Sequence, residues 1–275
     1  MKIIYKLLFL FLLTIGYSSC DFLDIVPDEI TTEADAFKDR NAAKNFVYSC
    51  YGYLPQSNVA SGSLDLLTGD EVITAFEHET FASFPKGNYT ASSPVISYWN
   101  TFFQGLRQCY IFLENVDKVP DLTESVKTDY IAQVKFLIAY YHYQLARCYG
   151  PIILIKELPD VNASQAEYLP RTSYDECVDW ICNLLDEAAS SLPAIRTNKE
   201  DYGLATSVGA KAVKAKMLLY AASPLFNGNS SFYSNFTDKS GSQLMPLTYD
   251  PNKWVKAKTA IKEAIDLAEQ NGHAL

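Results

Sequence analysis

Apolar residues recur along most of this chain at steps of three and four, which is the spacing of one face of an α-helix. In the clearest case the stripe includes Val134, Leu137 and Tyr141, and Gly150 and Pro151 then end the helix. The predicted helices cover residues 39–54, 97–118, 123–149, 172–192, 206–222 and 250–271.

The segments between these helices differ in length and character. Residues 151–160 (PIILIKELPD) are predicted to hold one short strand, whereas residues 55–96 and 223–249 are long and show no period. Loops of this length are rarely structureless in a domain unless they have a function. Six helices suggest three antiparallel pairs, although no strict 34-residue repeat is present. The pattern predicts an all-α fold of tetratricopeptide-like antiparallel helix pairs with long loop insertions.

The N-terminus (FLFLLTIGYSSCDFLDIVPDE, residues 9–29) begins with an apolar run that is too short to cross a bilayer. Lys2 and Lys6 precede it and small residues end it, which is the pattern of a secretory signal. Because the small residues lead directly into Cys20, we expect a lipoprotein signal peptide over residues 1–19 and acylation of Cys20. Tyr17 departs from the usual pattern, and the alternative is an ordinary signal peptide followed by a stray cysteine.

The charge balance limits the partners of the chain. Its net charge is −9, and removal of the two lysines in the leader would make the mature chain −11. Nucleic-acid binding depends on Lys and Arg neutralising phosphates, so a surface this acidic argues against it. Lipidation would attach the chain to a membrane firmly if two or more acyl chains were added.

The remaining cysteines give no sign of a metal site or of a complete disulfide framework. Five cysteines remain after Cys20, and an odd number cannot all be paired. Each lies on the apolar stripe of a predicted helix, which indicates buried free thiols. No pair has the spacing of a zinc site, and we expect no metal and no cofactor. The five are Cys50, Cys109, Cys148, Cys177 and Cys182.

One acidic cluster (GDEVITAFEHE, residues 69–79) could be reactive. Asp70 or Glu77 could serve as a glycosidase carboxylate, or the acidic residues around His78 could bind a metal. The spacing of Glu77, His78 and Glu79 does not match the helical zinc-protease motif. A solvated acidic loop is the favoured interpretation, and we expect no catalytic residue.

Aromatic residues in the same insertion suggest a binding surface instead. Sugar rings stack their C–H faces on aromatic rings while their hydroxyls pair with polar side chains. The ligand-binding candidates are Tyr89, Asp70, Glu71, Phe76 and Asn88, with Tyr89 the leading candidate for stacking. The alternative is that these rings pack on the helices. Elsewhere, Trp99 and Trp180 are interpreted as core residues, and His142 as a satisfied residue within its helix.

Several longer stretches resemble one known family. The lipidated start SSCDFLD is typical of the SusD/RagB outer-membrane proteins, and QVKFLIAYYHYQLARCYGPIILI (133–155) is similar to their signature helix. Here Pro151 directly follows Gly150, one residue earlier than in the family pattern. Three further stretches resemble the helices that follow in the family: RTSYDECVDWICNLLDEAASSLP (171–193), GLATSVGAKAVKAKMLLYAASPL (203–225) and WVKAKTAIKEAIDLAEQNGHAL (254–275).

The resemblance implies helical pairs that support loops binding a glycan or a peptide. It also implies a TonB-dependent transporter barrel as partner, and the acidic residues after Cys20 resemble a signal for the cell surface. Asp70 and Glu71 would then be conformational or ligand-contacting residues. Because family members are usually longer, residues 20–275 are expected to be the N-terminal helical domain, without the C-terminal half of the family.

The resulting hypothesis is a surface-exposed outer-membrane lipoprotein that captures an oligosaccharide and delivers it to a transporter without performing chemistry. One alternative is an anchored glycosidase that uses Glu77 or Asp70. Another is a tetratricopeptide-like scaffold that binds extended peptides and no glycan.

Overall fold

Six long helices occupy the six segments that the apolar periodicity predicts. The structure is a computed structural model that describes residues 33–55, 83–160, 162 and 169–274. The long helices in this described part are α1 (Arg40–Tyr51), α2 (Trp99–Asn115), α3 (Glu124–Tyr149), α4 (Tyr174–Ser191), α5 (Ser207–Ala222) and α6 (Asn252–Gln270).

The chain divides into two units, one of residues 1–36 and one of residues 37–275. In the first unit the structure describes a single helical turn, Glu33–Ala36. In the second unit, the described residues form the six long helices and three short elements. These are the 3₁₀ turns Val116–Lys118 and Lys199–Asp201 and the helical turn Ser230–Tyr233.

Each long helix packs mainly on the helices that precede and follow it in the sequence. The antiparallel arrangement of α1 and α2 follows from their side-chain pairs, because Phe46 lies opposite Phe112 while Ser49 lies opposite Gln108. Moving forward along α1 therefore means moving backward along α2. The predicted all-α, tetratricopeptide-like fold is confirmed.

Local sequence explains where the helices start and stop. Asp39 caps α1, since its Oδ1 accepts the N–H groups of Asn41 and Ala42 at 2.9 and 2.8 Å. At the C-terminal end of α3, Gly150 has a φ of +70°, in the left-handed region that favours glycine, and the helix ends there. Pro151 then prevents the helix from continuing.

Helix α3 is the centre of the core, because α1, α2, α4 and α5 all contact it. Leu137 and Tyr141 are fully buried, and the Tyr141 hydroxyl donates to the carbonyl of Cys50 at 2.5 Å. Gly105 of α2 faces this region, where a Cβ would come within 3.0 Å of both Tyr141 and Tyr53. The missing side chain at Gly105 therefore allows the close approach of these helices.

His142 is fully buried in α3 and both of its ring nitrogens are hydrogen-bonded. Nε2 accepts the N–H of Ile155 at 3.1 Å, so the ring proton is on Nδ1, which donates to the Ile138 carbonyl at 2.8 Å. Burial lowers the pKa of His142 to about 4, because the charged form loses its hydration. The prediction of a satisfied histidine is confirmed.

The predicted strand within residues 151–160 is wrong, because this segment is extended but pairs with no strand in the described part of the chain. Its backbone groups are satisfied by side chains and by one isolated backbone bond, in which the N–H of Thr172 donates to the Ile152 carbonyl at 2.7 Å. The hydroxyl of Tyr110 donates to the Ile155 carbonyl at 2.6 Å, and Arg107 donates to the Pro159 carbonyl at 3.1 Å. The segment is therefore fastened to α2 and α3 without forming a sheet.

Four of the five cysteines after Cys20 are buried free thiols, as predicted, but Cys148 is exposed. It lies in the last turn of α3, where the side chain faces outward just before the helix ends. Trp99 and Trp180 are half-buried rather than fully enclosed. Trp99 packs against Tyr149 with ring centroids 5.2 Å apart, and Trp180 packs edge-on against His142.

The long segment between α5 and α6 is held by its own backbone contacts. Asn227 is buried and bridges to Asp250, donating to its carbonyl and accepting its N–H at 2.9 Å each. Gly228 has a φ of +78°, and a Cβ there would lie only 2.3 Å from the backbone nitrogen of Tyr249. The Oδ1 of Asp250 also accepts the N–H of Asn252, which places the start of α6 near the predicted position.

Candidate ligand-binding site

The part of the predicted binding insertion that the structure describes includes a folded turn, residues 83–93. The N–H of Gly87 donates to the Phe84 carbonyl at 2.9 Å, and the N–H of Asn88 donates to the Ser83 carbonyl at 3.0 Å. Gly87 has a φ of +64°, which glycine adopts without steric cost. The chain therefore reverses tightly just before Asn88 and Tyr89.

The second half of this turn is closed by Thr90 and Ser93. Their N–H and carbonyl groups form a reciprocal pair of hydrogen bonds at 3.1 Å each, and the Thr90 hydroxyl accepts the Ser93 N–H at 3.0 Å. Tyr89 thus sits between two hydrogen-bonded reversals. Side chains on a backbone fixed in this way lose little conformational freedom when they bind a ligand.

Tyr89 is half exposed, with 50% of its surface accessible. Its ring centroid lies 5.2 Å from that of Phe84, at a tilt of 54°, so one part of the ring rests on a half-buried partner. Asn88, next to it, is exposed and carries an amide that can both donate and accept hydrogen bonds. An open aromatic face beside a free amide is suited to a polyhydroxylated ligand.

The structure brings together two of the five residues predicted to bind ligand, Tyr89 and Asn88. The other three, Asp70, Glu71 and Phe76, lie outside the described residues. The same is true of Glu77, which was considered as a glycosidase carboxylate. Their roles stay predictions.

A cleft of about 790 Å³ lies elsewhere in the second unit, and sequence reasoning missed it. Its walls come from α1, the first half of α3, the end of α4 and the segment that precedes α5. This volume falls in the range typical of small-molecule sites. Its side chains are both aromatic and charged, and those that characterise it are Lys44, Tyr48, Glu124, Asp129, Tyr130, Arg196 and Asp201.

A closed hydrogen-bond network fixes one wall of the cleft. Arg196 forms a two-pronged ion pair with Asp129, and Asp129 also accepts from the Nε2 of Gln133 at 2.8 Å. The hydroxyl of Tyr51 donates to the side-chain Oε1 of Gln133 at 3.0 Å and accepts the N–H of Ala205 at 2.9 Å. Burial raises the pKa of Tyr51 well above its ordinary value, so this hydroxyl keeps its proton.

The rings in the cleft are more accessible than this network. Tyr48 is 37% exposed, and the Lys44 ammonium lies 5.5 Å from its ring centroid, within the range of a cation–π contact. Tyr130 is half-buried with its edge toward Phe112, and burial raises its pKa. The cleft therefore offers two tyrosines, whereas the polar groups of the network already have partners.

Neither a group of metal ligands nor a helix suited to span a membrane is present among the described residues. Among them, no three His, Cys, Asp or Glu side chains are grouped closely enough to hold a metal ion. None of the helices described has the length and apolar character needed to cross a bilayer.

Comparison with known proteins identifies the family. A family described as "Starch-binding associating with outer membrane" matches residues 21–219, which is most of the chain. This chain belongs to the SusD-like family. The resemblance seen in the sequence motifs is therefore confirmed.

Individual relatives agree with this assignment. SusD-like protein P25 of Formosa agariphila is 23% identical over 230 residues. Among solved structures, BT4246 is 36% identical with a TM-score of 0.78 over 85% of this chain. A laminarin-binding SusD-like protein is 21% identical with a TM-score of 0.58 over 68% of this chain, a likeness that concerns the fold alone.

The chain spans about two fifths of the length of these relatives. It covers 43% of P25, 40% of BT4246 and 41% of the laminarin-binding protein. The match with P25 includes 79% of this chain. What the complete relatives bind is therefore a starting point for a proposal about this chain.

Proposed function

We propose that this chain belongs to a lipoprotein of the cell outer membrane that binds an oligosaccharide at the surface and delivers it to a TonB-dependent transporter barrel. Membership of a family described as starch-binding and associated with the outer membrane supports this proposal. The lipoprotein signal predicted over residues 1–19 and the acylation of Cys20 would supply the anchor. The acidic net charge of −9 is consistent with a neutral glycan and unfavourable for nucleic acid.

The observation that carries the proposal is the exposed Tyr89 ring on its hydrogen-bonded turn. An aromatic ring supplies the apolar face on which the C–H groups of a sugar stack, and the Asn88 amide is placed to pair with hydroxyls. Loops on a rigid scaffold are where binding residues tend to collect. We therefore place the glycan contact of this chain mainly at residues 83–93, together with the predicted Asp70, Glu71 and Phe76.

The proposed role is capture without catalysis. Glycoside hydrolysis needs two carboxyl groups about 5–10 Å apart across the bound sugar, one of which is protonated. Asp129 in the cleft is unsuited to this role because it is already engaged by Arg196 and Gln133. Release of reducing ends by the purified chain would contradict this part of the proposal.

The direct test is isothermal calorimetry of the chain and of Tyr89→Ala with oligosaccharides of starch and of laminarin. Loss of a stacked ring is expected to weaken binding by about 1–2 kcal/mol, or roughly 5- to 30-fold. Tyr249→Ala is the matched control, since Tyr249 is also about half exposed but lies in the segment before α6. Its affinity should equal that of the unchanged chain.

One result would place the binding site in the cleft, and another would contradict glycan binding. If Tyr48→Ala weakens binding and Tyr89→Ala does not, the ligand occupies the cleft. If the folded chain binds neither oligosaccharide, the proposal that it captures these glycans is wrong. Co-purification of the lipidated chain with a transporter barrel tests the partner separately.

The cleft favours peptide binding as a second candidate function. It lies between packed helices and presents Lys44 and Asp201 together with Tyr48, so it offers both signs of charge to an extended peptide. Calorimetry with a library of short peptides would distinguish the two. Peptide affinity that is lost in Tyr48→Ala, with no glycan affinity, would support the peptide-binding scaffold.

A further inference from the structure

Two cysteines face each other across the interface between α1 and α2. The antiparallel register is fixed on one side by Phe46 and Phe112, whose ring centroids lie 6.2 Å apart. One turn further along α1, the Nε2 of Gln108 donates to the hydroxyl of Ser49 at 3.0 Å. A cysteine directly follows each residue of this bond, Cys50 after Ser49 on α1 and Cys109 after Gln108 on α2.

The chain just beyond the end of α1 also lies close to α2. A Cβ on Gly105, one turn before Cys109, would lie 3.0 Å from the Cβ of Tyr53, which follows Cys50 by three residues. Cys50 and Cys109 are both fully buried, and burial together with the neighbouring Cys50 side chain raises the pKa of the Cys109 thiol. The two thiols are therefore neighbours across the interface between α1 and α2, which is the arrangement that a disulfide requires.

We propose that Cys50 and Cys109 form a disulfide when the chain folds in an oxidising compartment. The oxidant is a disulfide of a small thiol or of a dithiol protein, which is reduced to two thiols. One cysteine thiolate attacks this disulfide and releases the first thiol, and the second cysteine thiolate then displaces the other. Both S–H bonds are lost, one S–S bond forms between Cys50 and Cys109, and the two electrons pass to the oxidant.

The bond forms before the helices close. Burial raises the pKa of Cys109 in the folded chain, which disfavours the reactive thiolate once the core is complete. The same burial then shields the bond from reductants. Export of the chain, which the leader predicts, would provide the oxidising compartment.

The disulfide would join the two helices that flank the insertion carrying Tyr89. Cys50 comes just before this insertion and Cys109 lies in the helix after it, so the bond closes a loop of about 60 residues. A cross-link stabilises mainly by restricting the unfolded chain. The other three cysteines stay outside this bond: Cys148 is exposed at the end of α3, while Cys177 and Cys182 stand five residues apart on different sides of α4. An odd number of cysteines therefore rules out complete pairing but not this single bond.

The test uses the full chain with Cys20→Ser, refolded from the reduced state in a buffer of reduced and oxidised glutathione. After alkylation and tryptic digestion without reduction, we expect peptides 45–86 and 108–118 to be linked and two hydrogens lighter than their sum. The melting temperature should exceed that of the reduced chain by roughly 4–10 °C. The matched control carries Cys177→Ser in addition to Cys20→Ser. It should give the same linked peptides and the same difference in melting temperature.

Cys50→Ser and, separately, Cys109→Ala should abolish the linked peptide and the redox-dependent shift in melting temperature. Circular dichroism of each variant establishes that it folds. Recovery of both peptides fully alkylated from folded, glutathione-treated chain would overturn the proposal. Linkage of either cysteine to Cys148 or Cys177 in place of the expected pair would overturn it equally.

Discussion

Arg196 and Asp129 meet in a parallel, two-pronged ion pair, although 67 residues separate them in the sequence. Nη1 and Nη2 of the guanidinium each lie 2.9 Å from one carboxylate oxygen. Arg196 also donates to the carbonyl of Ala205, from Nε at 3.1 Å and from Nη2 at 2.8 Å. The pair therefore fastens the segment that leads into α5 onto α3.

Removing the carboxylate should destabilise the chain. Asp129→Ala leaves a mostly buried guanidinium without its counter-charge, and we expect the free energy of unfolding to fall by about 1–3 kcal/mol, less than for a fully buried pair. Arg196→Lys should not preserve the pair, because an ammonium lacks the planar fork. Urea unfolding measures both. Asp266→Ala breaks an exposed pair with Lys262 and should cost at most about 0.5 kcal/mol, so equal losses would contradict the role given to Asp129.

His142 predicts a loss of stability in mild acid. Its pKa is about 4 in the folded chain and about 6.5 when unfolded, so the unfolded state binds more protons between these values. The stability contributed by the neutral ring is complete above about pH 6.5 and declines as the pH falls toward 4. The total is at most about 3 kcal/mol. Protonation would also place a proton on Nε2, opposite the Ile155 N–H.

The measurement is the free energy of unfolding from pH 7 to pH 4 for the chain and for His142→Gln. The variant lacks the titrating ring, so the difference between the two curves should shrink through this window. Carboxylates common to both proteins cancel in the difference. Parallel curves would show that His142 does not control the acid response.

Leu137 tests the assignment of the buried face of α3. This side chain is fully buried, and Leu137→Ala should lower the free energy of unfolding by about 2–5 kcal/mol. Val126→Ala, on the same helix but 38% exposed, is the control and should cost less than about 1 kcal/mol. Thermal unfolding followed by circular dichroism separates them, and equal melting temperatures would mean that the face is misassigned.

Alanine substitutions at Gly228 and Gly241 distinguish the cost of a steric clash from the cost of a left-handed backbone. Both have positive φ angles, +78° and +86°, but only Gly228 faces another backbone segment, where a Cβ would lie 2.3 Å from the Tyr249 nitrogen. Gly241→Ala should cost about 1–2 kcal/mol from its left-handed backbone alone. Gly228→Ala should cost clearly more in urea unfolding, because Thr248 and Tyr249 must shift. Equal costs would mean that the contact does not constrain the segment.

Cys20 stays a sequence prediction, since it lies outside the described residues. If it is acylated, the chain should partition into membranes, and Cys20→Ala should release it or leave residues 1–19 attached. Mass spectrometry of the mature N-terminus decides between these outcomes and an ordinary cleavage. An unmodified N-terminus that begins beyond Cys20 would rule out lipidation.

The six helices could be predicted because apolar residues recur along each at helical spacing, even in α3, whose middle is buried on all sides. The strand expected in residues 151–160 failed for the opposite reason: an extended apolar run does not show which group will satisfy its backbone. Here the partners were the side chains of His142 and Tyr110. The exposure of Cys148 was not predicted, because the apolar period of α3 continues into its last turn. There the side chain of Cys148 is exposed although it follows the same spacing.

The candidate site was predictable only in part. Tyr89 and Asn88 stand in a loop whose length and composition are visible in the sequence, and the structure places both on one exposed turn. The cleft has no such signal, because Tyr48, Asp129 and Arg196 come from distant segments. Only the packing of the helices brings them together.

The described hydrogen bonds of the turn at residues 83–93 join residues of the turn itself: Gly87 to Phe84, Asn88 to Ser83, and Thr90 to Ser93. A substitution at Tyr89 or Asn88 therefore leaves both those bonds and the buried stripes of the helices in place. The surface that would meet a ligand can diversify without a matching change in the scaffold. Natural selection, or a library randomised at these two positions, could exchange one sugar preference for another while the same helices continue to fold.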